Sequence, residues 1–353
     1  MSRFIRTKFR DYDAYTPGEQ PVDMKYIKLN TNESPYPPGK KVLNALSEKD
    51  LEKLRLYPSP GQQKLRAKLA ETFELIPENF CVSNGSDDII NFAFAAFCGN
   101  ENRVAFPEIS YGFYQVFSDY YECEKVMIPL KDDLSIDAND YLSLKGVNLI
   151  VIANPNAPTG LVLAKDEIEL IVNSNPESVV LIDEAYVDFG GESVIPLTKK
   201  YDNLLVARTF SKSSSLAGAR LGYAVGNKEL ISDLELMKYS TNPYSVNRMT
   251  EAVGLAVLDE PDYYRKNCQR IKESRAWTKE RLREKGIEYT DSKANFIFVK
   301  AGEGAYEALK KNGILVRWFS SDKLKDYIRV SIGTQEDMEN FVDALVSYLE
   351  GNR

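Results

Sequence analysis

Short apolar runs alternate with amphipathic segments in the part of the chain before residue 243. Five runs end in polar or small residues, and they lie at 79–88, 103–112, 147–160, 178–186 and 203–212. The central runs are continuously apolar, which is typical of strands that are covered on both faces. Helix-like segments lie between or after them, at 87–97, 112–121, 164–174 and 229–240. The alternation predicts an α/β fold, with a mainly parallel sheet and helices on both faces.

A smaller α+β unit is predicted for the following part of the chain. Residues 261–286 show the pattern of one long charged helix, and residues 336–351 show another helical pattern. Three short strand-like runs lie between these helices, at 295–300, 313–319 and 327–334. We therefore expect an N-terminal arm that joins the small domain, a large domain and a small C-terminal domain, at 1–40, 41–243 and 244–353.

The composition excludes several classes of function. The net charge of −7 disfavours nucleic-acid binding, and no apolar run approaches the ~18 residues that a membrane span needs. The four cysteines have no metal-ligand spacing, so we expect reduced thiols, no metal site and a cytoplasmic protein. The chain also contains no histidine. Ser-His-Asp and Cys-His nucleophiles are thereby excluded, and a lysine whose pKa is shifted by burial becomes the favoured proton carrier.

Polar clusters lie where the predicted strands end, which is the edge where ligands of such sheets bind. In "SNGSDD" at 83–88, backbone N–H groups before a helix can cradle a phosphate, although Ser86 can equally be a simple N-cap. This segment has neither the P-loop nor the GxGxxG pattern. In "LIDEAY", Asp183 ends a buried strand, either as a cap or ion-pair partner or as a carboxylate that faces a ring nitrogen.

The segment "RTFSKSSSLAGARLGY" adds a lysine and an arginine. Taken singly, Lys212 and Arg220 can both be solvated charges, but the small residues around Arg220 indicate close packing and suit a bidentate contact with an anion. Taken together, these clusters indicate one kind of ligand more specifically than any single cluster does. A phosphate cradle, an aromatic ring at Tyr111, an acid, a lysine and an arginine follow one another on successive strand ends, which is what pyridoxal phosphate requires.

On these motifs the chain resembles the fold-type I aminotransferases that depend on pyridoxal phosphate, most closely their histidinol-phosphate branch, over nearly its whole length. The resemblance implies a pyridoxal-phosphate-binding large domain at 41–243. It implies that Lys212 forms the Schiff base, that Asp183 faces the pyridine nitrogen and that Tyr186 faces the ring oxygen. The other cofactor-binding residues that it implies in this chain are Gly85, Ser86, Asp87, Tyr111, Asn154, Ser211 and Arg220.

The resemblance also implies a homodimer with shared active sites. "RLYPSPG" resembles the segment whose tyrosine, here Tyr57, reaches the cofactor of the neighbouring subunit. Small-molecule amino donors and keto acids are the other expected partners. Their predicted binding residues come from four further segments and are Tyr15, Asn32, Arg317 and Arg329.

One segment departs from the family pattern. The family usually reads Asn-Pro-Thr-Gly, and its asparagine bonds the ring oxygen, whereas "NPNAPTG" has Ala157 at that place. Either Asn154 or Asn156 substitutes for it, or Tyr186 holds the oxygen alone. One lost neutral hydrogen bond costs only about 1 kcal/mol, so activity is still expected.

Three functions stay open from the sequence. The first is transamination between histidinol phosphate and 2-oxoglutarate in histidine biosynthesis, which the segment at 316–334 favours. The second is another pyridoxal phosphate reaction, carried out by an aromatic aminotransferase or by a lyase such as threonine-phosphate decarboxylase. The third is a non-catalytic regulator. The intact Lys212 and Asp183, and the lack of an appended DNA-binding segment, disfavour the third function.

Overall fold

The computed structural model describes residues 2–10 and 12–351. The strands are β1 Ile27–Lys28, β2 Phe80–Ser83, β3 Arg103–Pro107, β4 Glu124–Ile128, β5 Leu149–Ala153, β6 Val179–Asp183, β7 Leu204–Thr209, β8 Gly222–Val225, β9 Phe296–Lys300, β10 Ile314–Leu315, β11 Arg317–Trp318 and β12 Tyr327–Ser331. The α-helices are α1 Lys40–Leu43, α2 Glu48–Glu52, α3 Gln63–Phe73, α4 Ser86–Phe97, α5 Phe113–Tyr120, α6 Lys165–Ser174, α7 Lys228–Thr241, α8 Arg248–Leu258, α9 Pro261–Glu284, α10 Ala305–Lys311 and α11 Gln335–Gly351. Short 3-10 helices lie at Thr7–Phe9, Lys53–Arg55, Pro77–Asn79, Ala138–Tyr141, Val187–Phe189, Ile195–Lys199 and Ala217–Ala219. None of the described helices has both the length and the apolar character needed to cross a membrane.

A central sheet of seven strands dominates the part of the chain that the structure describes. Its order is β2-β8-β7-β6-β5-β3-β4. The neighbours from β7 to β4 are parallel, whereas β8 runs antiparallel to both β7 and β2. The predicted α/β class with a mainly parallel sheet is therefore confirmed.

The middle strands of this sheet are buried on both faces. All five residues of β5 are buried. Ile150 and Ile152 belong to one apolar cluster, together with Ile168 of α6, whereas Val151 belongs to another cluster with Phe94 of α4. Successive side chains of a strand point to opposite faces, so helices that cover both faces explain why the sequence of this strand is continuously apolar rather than alternating.

A second, antiparallel sheet has the order β11-β12-β9. Its apolar face contributes Ile297 and Ile328 to a separate cluster with Ile271 of α9 and Phe341 of α11. The short strand β1 pairs in parallel with β10, and Leu29 joins the same cluster. The N-terminal segment thus packs on the C-terminal elements, and the three domain boundaries given above stay a prediction.

The strand ends bring distant segments together. The parallel strands β5, β6 and β7 end side by side at Ala153, Asp183 and Thr209. Gly222, the first residue of the antiparallel strand β8, pairs with both Thr209 and Ser83. The segments that follow these strands therefore meet at one edge of the sheet.

Candidate active site

A cavity of about 220 Å³ lies at this edge of the sheet. The predicted site residues that line it are Tyr15, Asn32, Ser86, Asp87, Tyr111, Asp183, Tyr186, Ser211, Lys212, Arg220, Arg317 and Arg329. They come from the N-terminal arm, from the ends of the central strands and from the small sheet. The fold thus gathers into one pocket residues that are widely separated in the sequence.

Lys212 follows β7 and lies half-buried in the wall of this pocket. Its Nζ donates to the carbonyl oxygen of Thr31 at 3.4 Å and lies 5.8 Å from the centroid of the Tyr186 ring. Burial lowers the pKa of Lys212 to about 8, and the positive charge of Arg329 lowers it further. A lysine with this pKa is available as a neutral amine near neutral pH, which free lysine is not.

Asp183 ends β6 and is 5% exposed. Its Oδ2 accepts a hydrogen bond from the hydroxyl of Tyr114 at 3.0 Å, and its Oδ1 accepts one from the backbone N–H of Ala185 at 3.1 Å. Burial raises the pKa of Asp183 to about 6, although both hydrogen bonds act in the opposite direction. A positively charged group close to Asp183 would favour its ionised form.

Tyr114 is a site residue that the sequence reasoning missed. It is fully buried on α5, and its only polar atom besides the backbone is committed to Asp183. The available signal was a second tyrosine three positions after Tyr111, in the first turn of α5, which begins at Phe113. Tyr111 and Tyr114 indeed meet edge to face, with ring centroids 5.8 Å apart.

The start of α4 forms a backbone cradle. Gly85 precedes the helix with a φ of +88°, a conformation that glycine adopts without strain. A Cβ on Gly222 would lie 2.5 Å from the Gly85 carbonyl carbon and from the Ser86 nitrogen. The backbone of β8 therefore touches the backbone of the cradle, and only glycine fits at position 222. The first N–H groups of α4 have no partner within the helix and can bind an anion.

Arg220 borders this cradle. Its guanidinium contacts Asp87 Oδ2 at 3.3 Å and Ser211 Oγ at 3.4 Å. Asp87 in turn accepts a hydrogen bond from the Tyr111 hydroxyl at 2.9 Å. These contacts place a cation, a hydroxyl and the helix start of α4 around one spot, which suits a phosphate group.

The opposite wall of the cavity carries two arginines on paired strands, because Arg317 of β11 lies opposite Arg329 of β12. Arg317 donates to the backbone carbonyls of Thr16 and Pro17, at 2.8 and 3.2 Å. Arg329 donates through Nη2 to Asn30 at 3.0 Å, while its buried Nε has no hydrogen-bond partner among the described residues. Burial lowers the pKa of Arg329. A buried guanidinium with an unused donor favours an anionic ligand.

Two further predicted residues complete this wall. Asn32 donates through Nδ2 to the Tyr186 hydroxyl at 3.0 Å and accepts a hydrogen bond from the Ser331 hydroxyl at 3.0 Å. Tyr15 stacks on Phe113, with ring centroids 4.3 Å apart, and it meets Tyr111 edge to face. The N-terminal arm thereby closes over the strand ends.

The side chain of Asn154 lies outside the lining of the cavity, so its predicted contact with the cofactor stays a prediction. Its Nδ2 donates to the Leu163 carbonyl, and its Oδ1 accepts from the Leu163 N–H, at 3.1 and 2.9 Å. Asn156 is likewise committed, to Ile109 and Ser110. Neither side chain lines the cavity, whereas Ala157 does. Of the three alternatives for the ring oxygen, Tyr186 alone fits this geometry.

Tyr57 lies outside the cavity of its own chain. Its side chain is 76% exposed, and its ring stacks on Tyr244, with centroids 4.6 Å apart. Gly85 does not line the cavity either, but it supplies the backbone before Ser86. The structure thus brings together the other predicted site residues except Asn154.

Comparison with known proteins identifies the family. The profile of the aminotransferase class I and II family matches residues 24–345. A histidinol-phosphate aminotransferase from Brachyspira hyodysenteriae is 47% identical over 350 residues, which cover 98% of each chain. The chain therefore belongs to the class I and II aminotransferases, which are enzymes that depend on pyridoxal phosphate. Within that class it is a member of the histidinol-phosphate aminotransferase family.

Solved structures show the same fold. The histidinol-phosphate aminotransferase from Sinorhizobium meliloti, solved in complex with pyridoxal-5'-phosphate, superposes with a TM-score of 0.85 at 23% identity and covers 93% of this chain and 92% of that one. L-threonine-O-3-phosphate decarboxylase from Porphyromonas gingivalis gives a TM-score of 0.78 at 23% identity, with coverages of 92% and 99%. One fold therefore carries both transaminases and a lyase.

The residues of the cavity fit pyridoxal phosphate. The cradle between Gly85 and Gly222 leaves backbone donors for a phosphate, with Arg220 beside them. Asp183 offers a buried carboxylate, and Lys212 offers a half-buried amine whose pKa is lowered. The donor set therefore matches the phosphate, the ring nitrogen and the aldehyde of this cofactor.

We predict that Gly222→Ala weakens both the fold and cofactor binding. The added Cβ has no room against the backbone of the cradle, so the free energy of unfolding should fall by about 1–3 kcal/mol. Gly218→Ala is the matched control, because nothing lies within 4 Å of its new Cβ. Denaturant unfolding and spectrophotometric cofactor titration measure the two effects. Equal behaviour of the two variants would contradict the close backbone contact.

We predict a pH-dependent stability difference between the cofactor-free wild type and cofactor-free Asp183→Asn. The native pKa of Asp183, about 6, lies above its ordinary value of 3.8, so the folded state binds more protons between these values. Wild-type stability therefore falls as pH rises through this window. Relative to wild type, Asp183→Asn should gain about 2 kcal/mol between pH 4 and pH 7. Urea unfolding at both pH values checks this, and a difference that does not change with pH would contradict it.

Proposed function

We propose that this enzyme transfers an amino group between L-histidinol phosphate and 2-oxoglutarate, giving imidazole acetol phosphate and glutamate, in histidine biosynthesis. The relative that is 47% identical over 98% of the chain bears the name of this activity. The observation that carries the proposal is the pocket itself. A half-buried amine and a buried carboxylate line one cavity that also holds an arginine Nε without a hydrogen-bond partner among the described residues.

Pyridoxal phosphate, when bound, supplies an aldehyde that takes up the amino group and a ring that withdraws electrons. We assign Lys212 as the residue that holds the aldehyde and then acts as the base. Its lowered pKa would allow its free amine to take the proton from the substrate carbon that carries nitrogen and to move that proton within the site as a general acid. This assignment explains how an enzyme without histidine moves protons near neutral pH.

Asp183 and Tyr186 orient the ring in this proposal. The Asp183 carboxylate keeps the ring nitrogen protonated, because its negative charge is buried and stabilises a positive charge opposite it. Tyr114 holds that carboxylate in place through its hydroxyl. Tyr186 donates to the ring oxygen, while Asn32 donates to the Tyr186 hydroxyl and fixes its direction.

The phosphate lies at the start of α4 in this proposal. The backbone N–H groups of Ser86 and Asp87 would donate to it, and the side chains of Ser211 and Arg220 would complete its shell. The N–H of Gly85 donates to the Ser83 carbonyl at 3.0 Å and would have to exchange that partner for the phosphate. Tyr111 covers one face of the ring. The Asp87 carboxylate, which now contacts both Arg220 and Tyr111, keeps these two side chains in register.

Arg329 binds an anionic group of each substrate in turn. Glutamate presents a carboxylate at the reacting carbon, and histidinol phosphate presents a phosphate one carbon away. A planar guanidinium can hold either group bidentately. Arg317 is placed for a second anionic group, and Tyr15 is placed to contact the substrate at the edge of the cavity.

We further propose that the enzyme is a cytoplasmic homodimer. The exposed ring of Tyr57, which lies outside its own cavity, supports a site completed by a second copy. All four cysteines are buried and free in the structure, which suits a reducing compartment.

A single-turnover assay tests the substrate. The cofactor-loaded enzyme is mixed with histidinol phosphate, with phenylalanine or with threonine phosphate, and loss of the cofactor absorbance is followed. We expect the fastest reaction with histidinol phosphate. A faster reaction with the aromatic amino acid, or release of carbon dioxide from threonine phosphate, would favour the alternative aminotransferase or lyase.

The same assay should show that Arg329→Lys slows both half-reactions, because the activation free energy of each rises by roughly 2 kcal/mol. An effect on only one half-reaction would refute the shared role of Arg329.

Mixed dimers test the shared sites. Lys212→Ala and Tyr57→Phe are each expected to impair the enzyme. When the two chains are mixed and subunit exchange is verified, both lesions fall in one site and the other site is intact. Activity should therefore rise towards that of a mixed dimer of wild type and Lys212→Ala. No recovery on mixing would refute the role of Tyr57 in the neighbouring site.

A further inference from the structure

Lys238 is a buried cation far from the chemistry described above. It lies on α7 and is 1% exposed. Its Nζ donates to the backbone carbonyls of Pro60 and Val82, both at 2.9 Å, and to Gln62 Oε1 at 2.6 Å. None of these three acceptors is a carboxylate, so Lys238 is not one half of an ion pair.

The chemistry of this contact requires the charged form of the lysine. An ammonium group has three donors, and three oxygens receive them. Burial nevertheless lowers the pKa of Lys238, because an ion without a counter-ion is costly to bury. The nearby Glu235 is paired with Arg66 at 2.7 Å. A methionine at position 238 would fill nearly the same space without the free-energy cost of burying an ammonium group. The role of Lys238 is therefore to be sought in the backbone segments that its three hydrogen bonds hold.

The three bonds tie a surface loop to the sheet. Pro60 and Gln62 belong to the loop that links the 3-10 helix at Lys53–Arg55 to α3, whereas Val82 lies on β2, which leads into the phosphate cradle. Gln62 is fully buried and has a φ of +42°, so its backbone is held in a conformation that most residues avoid. Lys238 thus fixes the loop at two of its residues, Pro60 and Gln62.

The same loop carries Tyr57. Arg248 donates to the carbonyl oxygens of Leu56 and Tyr57 and fixes the near end of the loop, while Lys238 fixes the far end. At the near anchor the Tyr57 ring points away from the loop, where it stacks on Tyr244 and is mostly exposed. The loop therefore presents one aromatic side chain to whatever covers this surface.

We infer that Lys238 is a positioning residue that sets the place of Tyr57 in the active site of the neighbouring subunit. The inference rests on the shared-site homodimer proposed above. If the inference is right, removing Lys238 impairs the active site of the neighbouring subunit. If Lys238 has only a structural role, removing it impairs its own chain instead.

Lys238→Met separates these possibilities, because it keeps an unbranched side chain that is one atom shorter and removes the ammonium donors. The homodimeric variant should lose activity and cofactor affinity, each by about tenfold or more, as expected for a displaced site group. Mixed with Lys212→Ala, the variant contributes an intact Lys212 and receives Tyr57 from an intact loop. Activity, and the cofactor affinity of that site measured by equilibrium dialysis, should recover to the values of a mixed dimer of wild type and Lys212→Ala.

Controls keep the outcomes distinct. Lys228→Met, on the exposed start of the same helix, should leave both measurements unchanged. If Lys238→Met does not fold, Gln62→Met removes one acceptor from the same contact and should give a weaker effect that is also rescued by mixing. If Tyr57→Phe is rescued by Lys212→Ala but Lys238→Met and Gln62→Met are not, the inference is overturned while the shared site stands. If Tyr57→Phe is not rescued either, both proposals fail. Wild-type behaviour of the Lys238→Met homodimer would also overturn the inference.

Discussion

The burial of ionisable groups in one cavity is the constraint on which the site depends. Asp183 is buried there, Lys212 and Arg329 are half-buried, and desolvation is the first cause of each pKa shift. None of the three forms a salt bridge within the described part of the chain. Their charges are therefore uncompensated, and a ligand with a cationic ring nitrogen and anionic substituents relieves all of them.

Strands and hydrogen bonds hold these ionisable side chains in place, although burying their charges costs free energy. Asp183 is anchored at a strand end between two parallel neighbours, and a hydroxyl and an N–H fix its carboxylate. Asn32 connects the two units of the chain, because its backbone contacts Ser331 and Asn295 while its side chain reaches Tyr186. Groups held in this way lose little further freedom when a ligand binds, which is the condition for effective catalysis.

The sequence predicted the elements whose signals are local. The long apolar strands β5, β6 and β7 and the charged helix α9 were recognised, whereas β4, β8, α3 and α8 were not. Strand β4 lies at an edge with mixed exposure, and β8 is four residues inside a run of small residues. Helix α9 ends at Glu284, two residues before the predicted end at 286. The predicted strand at 313–319 is divided into β10 and β11. These details depend on tertiary packing, which no local pattern records.

The same division holds within the site. Lys212, Asp183 and Arg220 were found because they stand in recognisable motifs, and the structure places all three at one cavity. Asn154 was also predicted from a motif, but its side chain does not line the cavity, because it bonds the backbone of Leu163. Tyr114 was missed because a buried tyrosine looks like core in a sequence. Its contact with Asp183 joins positions 114 and 183, and only the fold brings those together.

The antiparallel insertion of β8 between β2 and β7 has a consequence for how the site is made in the cell. Among the strands of residues 2–10 and 12–351, β2 pairs with β8 alone, with Phe80 opposite Val225. The cradle at the end of β2 therefore stays unsupported during synthesis until the ribosome has released the chain beyond Val225. Strand β1 can pair only after a still longer part of the chain has been made, since Ile27 pairs with Ile314. Such long-range pairings fold slowly, so the cofactor pocket is completed only after most of the polypeptide exists, and a truncated nascent chain has no place to bind the cofactor.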